Sequence, residues 1–181
     1  GYDVAGVVDA LGPGVADFAV GDEVYFTPEI FGNPHGSYAE YTVARAAVVA
    51  RKPAGLSHEE AAAVPLAGGT AWEALVRRMR ILPGETVLVH GGAGGVGSFA
   101  VQFAKAAGAR VLATAGPGNQ DTLRQLGADV SIDYRARDFA EVVLAETGGV
   151  GVDAAFDTVG GDLVGRSVPV VRHFGRIAYI L

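Results

Sequence analysis

Cysteine is absent from the 181-residue chain, which removes disulfides, thiolate nucleophiles and cysteine-ligated zinc from consideration. Histidine is scarce as well: His35, His58, His90 and His173 are the full set, too few and too scattered for a credible metal site. Nor is there a surplus of basic charge. Lys and Arg number 14 against 20 Asp and Glu, a formal charge of −6, and the two signs are interspersed. Neither nucleic acid nor an anionic membrane is therefore expected as a main partner. No apolar run approaches the ~20 residues needed to span a bilayer. The N-terminus carries neither the charged stretch nor the long apolar one of a secretory signal, so a soluble, cytoplasmic protein is expected. An initiator methionine is also missing, and the expectation is that the chain starts partway through a larger gene product.

What is abundant is glycine, 27 residues scattered without period, which suits a fold with many tight turns and close backbone approaches. Hydrophobic residues make up 50% and charged residues 19%, an ordinary globular balance that allows a sizeable core. Two rhythms divide the sequence. As far as Pro53 it reads as short strands, Val4 to Ala10, Glu23 to Thr27, Ser37 to Val43 and Ala47 to Arg51, punctuated by Gly12-Pro13-Gly14 and Gly21-Asp22. Residues 28–36 read as a surface loop. From Ser57 the pattern changes: Ser57-x-x-Glu60 is a capping-box signature ahead of Ala61 to Val64, and Gly69 to Arg80 reads as a second helix.

After Pro83-Gly84 strands alternate with helices. Strands are predicted at Thr86 to His90, Arg110 to Ala115, Val130 to Tyr134, Val152 to Val159 and Arg176 to Leu181. Helices are predicted near Val96 to Ala107, Gln120 to Leu126, Asp138 to Thr147 and Asp162 to Val171. Such alternation indicates right-handed βαβ crossovers and a parallel, doubly wound sheet. The sheet looks incomplete at the chain end and the front β region small for a closed domain, so truncation at both ends is expected.

The run Gly92-Ala93-Gly94-Gly95-Val96-Gly97 places G-x-G-x-x-G directly after a predicted strand and at the start of a predicted helix, the context that makes this motif a dinucleotide site. Gly92 is expected to make the tight turn, Gly94 to let the backbone approach a pyrophosphate, and Gly97 to let helix and strand pack closely. The helix start offers free N–H groups and a positive dipole end to phosphates. An acid that would hold an adenosine ribose 2′-hydroxyl is expected about 20 residues on, yet Thr114-Ala115-Gly116 supplies none. NADPH, whose 2′-phosphate a carboxylate would repel, is favoured over NADH. Arg124 and Arg135 are the candidate counter-ions.

Several stretches in order resemble the medium-chain dehydrogenase/reductase superfamily, in its zinc-independent quinone oxidoreductase branch. They are Gly1-Tyr2-Asp3-Val4-Ala5-Gly6, Val20-Gly21-Asp22-Glu23-Val24, Gly36-Ser37-Tyr38-Ala39-Glu40-Tyr41, Ala61-Ala62-Ala63-Val64-Pro65, Thr70-Ala71-Trp72-Glu73-Ala74-Leu75, the glycine turn, Gly127-Ala128-Asp129 and Asp157-Thr158-Val159-Gly160-Gly161. The resemblance implies an α/β chain: part of a GroES-like substrate domain over 1–56, then part of a Rossmann-type dinucleotide-binding domain over 57–181, with the active site between them. It implies further that Gly95, Val96, Gly116 and Val159 border the cofactor, that Thr70 lies near the nicotinamide, and that Tyr134 lies beside the adenosine phosphate. The alternatives are a Thr70 hydroxyl bonded to its own helix and ordinary strand packing for Tyr134.

Zinc-dependent relatives carry Gly-His-Glu where this chain has Gly1-Tyr2-Asp3, so no zinc is expected. His58 is expected to be a solvated first-turn residue and His90 a strand-end residue beside the turn. A lysine frequent in quinone reductases after the Thr-Ala-Gly stretch is replaced by Pro117-Gly118-Asn119-Gln120-Asp121. The resemblance implies hydride transfer from NADPH to a quinone or an α,β-unsaturated carbonyl compound, with the catalytic proton donor unassigned and a homodimer open. Two alternatives stand beside it: a non-catalytic NADPH-binding sensor and an alcohol dehydrogenase-like enzyme.

Overall fold

A computed structural model of the chain describes residues 1–28 and 36–180. The chain divides into two compact units, Gly1–Gly69 and Thr70–Leu181. In the first, β1 (Val4–Val7), β2 (Glu23–Phe26) and β3 (Ala50–Arg51) form an antiparallel sheet in that order. Val24 and Phe26 are buried on one face while Glu23 is exposed, the period-2 pattern of a half-buried strand. The turn into β2 is closed by Asp22, whose carboxylate accepts from the Ala19 N–H at 2.9 Å and from Arg51 at 2.6 Å. The Ala19 amide and the Arg51 guanidinium hold the Asp22 carboxyl below its usual range. Helix α1 (His58–Ala62) begins at the predicted capping box. The Ser57 hydroxyl accepts from the Glu60 N–H at 3.1 Å, and the Glu60 carboxylate accepts from the Ser57 N–H at 2.8 Å.

The strand predicted at Ser37 to Val43 does not form. Residues 37–40 bend, and Tyr38, Tyr41 and Val43 are all largely exposed. Their β propensity reflects packing against cross-strand neighbours, and no strand pairs with them among the described residues. Ala47 to Arg51 is likewise reduced to a 3₁₀ turn, Ala46–Val48, and the two-residue β3. Most of the predicted loop at 28–36 lies outside the described residues.

Helix α2 (Pro65–Trp72) starts four residues before the predicted helix. Pro65 is well suited to the first helical position, where no N–H is required and its fixed φ is already helical. The chain then widens into a π-helical stretch, Glu73–Arg78, and ends at Arg80 in the left-handed region, φ 51°.

The second unit holds a five-stranded sheet in the order β6-β5-β4-β7-β8, every neighbouring pair parallel. Its strands are β4 (Thr86–His90), β5 (Arg110–Ala115), β6 (Val130–Asp133), β7 (Val152–Asp157) and β8 (Val171–Tyr179). The connecting helices are α3 (Gly95–Ala106), α4 (Gln120–Gln125), α5 (Phe139–Glu146) and α6 (Leu163–Ser167). The three central strands, β4, β5 and β7, are buried on both faces, as a sheet covered on two sides requires, while the edge strands β6 and β8 are only partly covered. Val87 and Val89 of β4 pack with Ala100, Val101 and Ala104 of α3. Leu88, between them in sequence, packs on the opposite side with Phe139, Val142 and Val143 of α5. This is the expected doubly wound α/β fold.

Two boundaries near the end differ from prediction. The helix predicted from Asp162 to Val171 stops at Ser167 and tightens into a 3₁₀ turn, Val168–Val170, because Pro169 has no N–H to continue an α-helical ladder. Strand β8 begins at Val171, not Arg176. Its first contact, Val152 with Val171, is separated by a register shift from the pairing that resumes at Ala154 with Arg176. Phe174 in the intervening bulge has φ 61° and is 91% exposed.

Candidate functional site

The strand order puts a topological switch between β4 and β7. From β4 the chain winds outward through β5 and β6, then returns to β7 and β8 on the other side. Loops leaving adjacent strands in opposite directions open a crevice at the carboxyl ends, where open α/β sheets take ligands. A cavity of about 800 Å³ lies there, within the range of small-molecule sites.

The glycine turn forms one wall. Gly92 sits in the tight turn as expected, at the first central position of the turn that the Gly94 N–H to Gly91 O bond closes, and the positive φ there belongs to Gly91, at 67°. A Cβ on Gly91 would also meet Thr158 Oγ1 at 2.7 Å and Val159 Cγ2 at 2.8 Å. Gly92 is needed for packing as well: a Cβ there would lie 2.9 Å from both Ala113 Cβ and Leu123 Cδ2. At Gly97, expected to let helix and strand pack closely, the close approach is between helix and turn: a Cβ would sit 2.8 Å from Gly91 C and Gly92 Cα, driving the two apart.

The turn is fixed by three backbone amides. Gly91 N–H donates to Thr114 Oγ1 at 3.2 Å, Gly92 N–H to Thr114 O at 2.9 Å and Gly94 N–H to Gly91 O at 2.9 Å. Gly94 caps α3 in an extended conformation and supplies no side chain. The amides of Gly95, Val96 and Gly97 thus open a 12-residue helix, where N–H groups lack intrahelical acceptors and the dipole is positive.

Of the residues predicted to hold the cofactor, Gly94, Gly116, Tyr134 and Val159 line the cavity. Gly92, Gly95, Val96 and Gly97 build the turn and helix start behind its wall, and Thr70, in α2, does not line it. Sequence reasoning missed Asn119, Arg137, Thr158 and Arg166, all of which do. Arg137 was within reach of a sequence reading, since it follows Tyr134-Arg135 with one residue between.

The electrostatics of the far wall can be built residue by residue. Asp138 caps α5 by accepting from the Ala140 N–H at 2.7 Å, and its other oxygen pairs with Arg166 at 3.0 Å. The Arg166 guanidinium also sits 4.9 Å over the Phe139 ring. Asp138 is therefore already engaged. Arg135 lies 6.0 Å over the Tyr134 ring, and neither Arg135 nor Arg137 pairs with a carboxylate among the described residues. Arg124, the other predicted counter-ion, is absent from the cavity lining and pairs with Asp121 on its own helix. The end of β5, Thr114-Ala115-Gly116, contributes no carboxylate. Asp133 at the end of β6 accepts the Arg135 N–H at 3.0 Å and does not line the cavity.

His90 ends β4 and is 1% exposed. Its Nε2 lies 2.9 Å from Ser167 Oγ and its Nδ1 3.3 Å from Thr114 Oγ1, with the ring edge-on to Phe139 at 4.5 Å. Burial drives its pKa from 6.5 down to about 4; the nearby Asp157 charge opposes the shift and Arg166 adds to it. His90 is thus neutral at pH 7. Asp157, at the matching position on β7, accepts from the Val159 and Gly160 N–H groups at 2.8 and 3.1 Å. Thr158 Oγ1 donates to His90 O at 2.7 Å, which ties the loop after β7 to the glycine turn.

His58 opens α1, 3.3 Å from Glu23, and His35 lies outside the described residues. Among the described residues no three His, Asp or Glu side chains gather where a metal ion could be held. No described helix is long and apolar enough to cross a membrane.

Residues 1–54 match the family described as alcohol dehydrogenase GroES-like domain, and residues 95–180 match zinc-binding dehydrogenase. The chain is 43% identical over 181 residues to phthioceranic/hydroxyphthioceranic acid synthase of Mycobacterium tuberculosis, covering 99% of this chain and 8% of that protein. It is 40% identical over 187 residues to 2-methylene-furan-3-one reductase of Solanum lycopersicum, covering 99% of this chain and 46% of the reductase. The structure of the quinone oxidoreductase from Coxiella burnetii superposes with a TM-score of 0.89 at 37% identity, covering 98% of this chain and 54% of the other. The chain thus spans about half the length of the two reductases and a small part of the synthase.

Proposed function

The chain belongs to the medium-chain dehydrogenase/reductase superfamily, and on that premise we propose that it serves an NADPH-dependent oxidoreductase acting on a quinone or an α,β-unsaturated carbonyl compound without zinc. The observation that carries the cofactor assignment is the far wall of the cavity. Tyr134, Arg135 and Arg137 line it, and its carboxylate, Asp138, is already engaged by Arg166 and the Ala140 amide. A 2′-phosphate would meet two guanidinium groups and a phenol there, whereas a bare ribose would meet no acid to hold its hydroxyls.

The glycine turn fits the rest of a dinucleotide. Gly94 exposes backbone where a Cβ would approach Gly91 O at 3.2 Å, and the Gly95, Val96 and Gly97 amides receive the diphosphate. Gly116 and Val159 border the cofactor, and Thr70 is assigned to the nicotinamide end. A reduced nicotinamide, when bound, supplies the hydride. The chain's own residues orient it. The zinc-free reading is supported by the absence of cysteine and by Tyr2, which stands where zinc-dependent relatives carry a histidine.

The test is a fluorescence titration of NADPH and NADH on the full-length protein, followed by turnover with quinones, enones and α,β-unsaturated acyl thioesters. NADPH should bind at least about tenfold tighter, since a charge-assisted phosphate contact contributes about 1.5–3 kcal/mol. Arg135→Ala combined with Arg137→Ala should erase that margin, and Arg124→Ala should not. Equal affinity of the wild type for both nucleotides refutes the cofactor assignment. Tight binding without turnover points to a sensor.

A further inference from the structure

The His90 imidazole lies between two hydroxyls, and the hydrogen bond that one of them makes elsewhere fixes its tautomer. On one side, Thr114 Oγ1 accepts the Gly91 N–H at 3.2 Å, which leaves the hydroxyl proton to be placed, and His90 Nδ1 is 3.3 Å away. On the other side, Ser167 Oγ donates to Leu163 O at 2.8 Å, so it meets His90 Nε2, at 2.9 Å, as an acceptor. The Ser167 constraint selects the form with the ring proton on Nε2, which leaves the Nδ1 lone pair to accept the Thr114 hydroxyl proton. The result is one directed chain: Gly91 N–H to Thr114, Thr114 O–H to His90, His90 N–H to Ser167, Ser167 O–H to Leu163. Thr114, His90 and Ser167 are 4%, 1% and 0% exposed, so water does not compete for these bonds. Thr114 also supports the turn a second time, through its carbonyl to the Gly92 N–H.

We propose that Ser167, His90 and Thr114 form a positioning relay that holds Gly91 and Gly92 in the geometry a dinucleotide diphosphate requires, so that α6 sets nucleotide affinity. This rests on the reading of the cavity as a nicotinamide-nucleotide site. Without the Thr114 hydroxyl the Gly91 N–H has no partner, and the turn loses one of the three bonds that orient it. The amides of Gly95, Val96 and Gly97 follow directly from that turn and shift with it. Affinity for an anion gripped by backbone amides is sensitive to displacements well under an ångström, so a bond that touches no phosphate still governs binding.

The test compares variants of the full-length protein by their Kd for NADPH, measured well below each unfolding midpoint. Thr114→Val keeps the shape and removes the hydroxyl; Thr114→Ser returns it. His90→Leu strips both partners, whereas His90→Gln offers one acceptor and one donor. Thr114→Val and His90→Leu should weaken binding about tenfold, the equivalent of one buried hydrogen bond. Thr114→Ser and His90→Gln should stay within about threefold of wild type. A lowered Tm with unchanged Kd in Thr114→Val and His90→Leu overturns the relay. Should Thr114→Val fail to fold, Ser167→Ala reads the same coupling from the far end: weaker binding upholds it and an unchanged Kd overturns it. If the wild type binds neither NADPH nor NADH, the nucleotide reading fails, and the relay is judged on amide hydrogen exchange at Gly91. Protection present in wild type and Thr114→Ser but lost in Thr114→Val upholds it; equal protection in all three overturns it.

Discussion

Acidification should destabilise this protein well before its carboxylates begin to protonate, because His90 is buried in its neutral form. In the unfolded chain the imidazole takes up a proton near pH 6.5, but in the folded state only near pH 4. Between those values the unfolded state binds the extra proton and the folded state does not, so stability falls as pH falls. Full stability from this group is present above about pH 6.5, is lost progressively down to about pH 4, and does not change further below it. The gap between the two pKa values corresponds to about 3 kcal/mol, with a slope approaching 1.4 kcal/mol per pH unit. That is a large share of the stability of an ordinary domain.

Urea unfolding of wild type and His90→Gln at a series of pH values between about 7 and about 4.5 isolates the effect, since carboxylate contributions are common to both. Wild type should lose about 2–3 kcal/mol more than the variant over that window. Asp157 and Arg166 are the charges acting on the ring, and they pull in opposite directions. Removing the Asp157 charge with Asp157→Asn should lower the folded-state pKa further and extend the loss to lower pH. Parallel curves for wild type and His90→Gln would refute the reasoning, since they would mean that His90 titrates alike in both states.

Three further outcomes follow from backbone geometry. Gly97→Ala forces a methyl to 2.8 Å from Gly91 C and Gly92 Cα and should destabilise by about 1–3 kcal/mol, the usual range for overpacking, with loss of nucleotide binding in the same titration. Phe174→Gly should stabilise by about 1 kcal/mol in thermal unfolding, because the left-handed strain of a bulky residue is relieved and a ring that is 91% exposed gives up little burial. Ser57→Ala breaks the capping box and should cost about 1 kcal/mol in urea unfolding, while Ser57→Asp should keep most of it.

The parts legible in the sequence are those whose cause is local. The glycine turn was readable because a strand, a tight turn and a helix start follow one another within a dozen residues, each with its own chemistry. Ser57 and Glu60 announced α1 for the same reason: their reciprocal bonds close within four residues. Tyr134 was expected at the cofactor only through the family resemblance, not from any local signal. Ser37 to Val43 shows the limit. Its Tyr, Thr and Val residues have the propensity of a strand, but a strand exists only with a partner, and pairing is a property of the whole chain.

The division of roles between Gly91 and Gly92 has a similar origin. Spacing identifies which stretch needs glycine, but which residue takes the positive φ and which one lacks room for a Cβ depends on Ala113, Leu123, Thr158 and Val159, which approach from β5, α4 and the loop after β7. Arg124 and Arg135 looked equivalent as counter-ions until the fold put one beside Asp121 and the other on the cavity wall.

By itself the sequence determined a parallel α/β unit with a glycine-rich strand–turn–helix and no cysteine chemistry, because periodicity, turn residues and composition act over short distances. Tertiary structure alone decided that His90 is neutral and directed. Its partners lie 24 and 77 residues away, and the desolvation that lowers its pKa arises only when β5, α5 and α6 close around it.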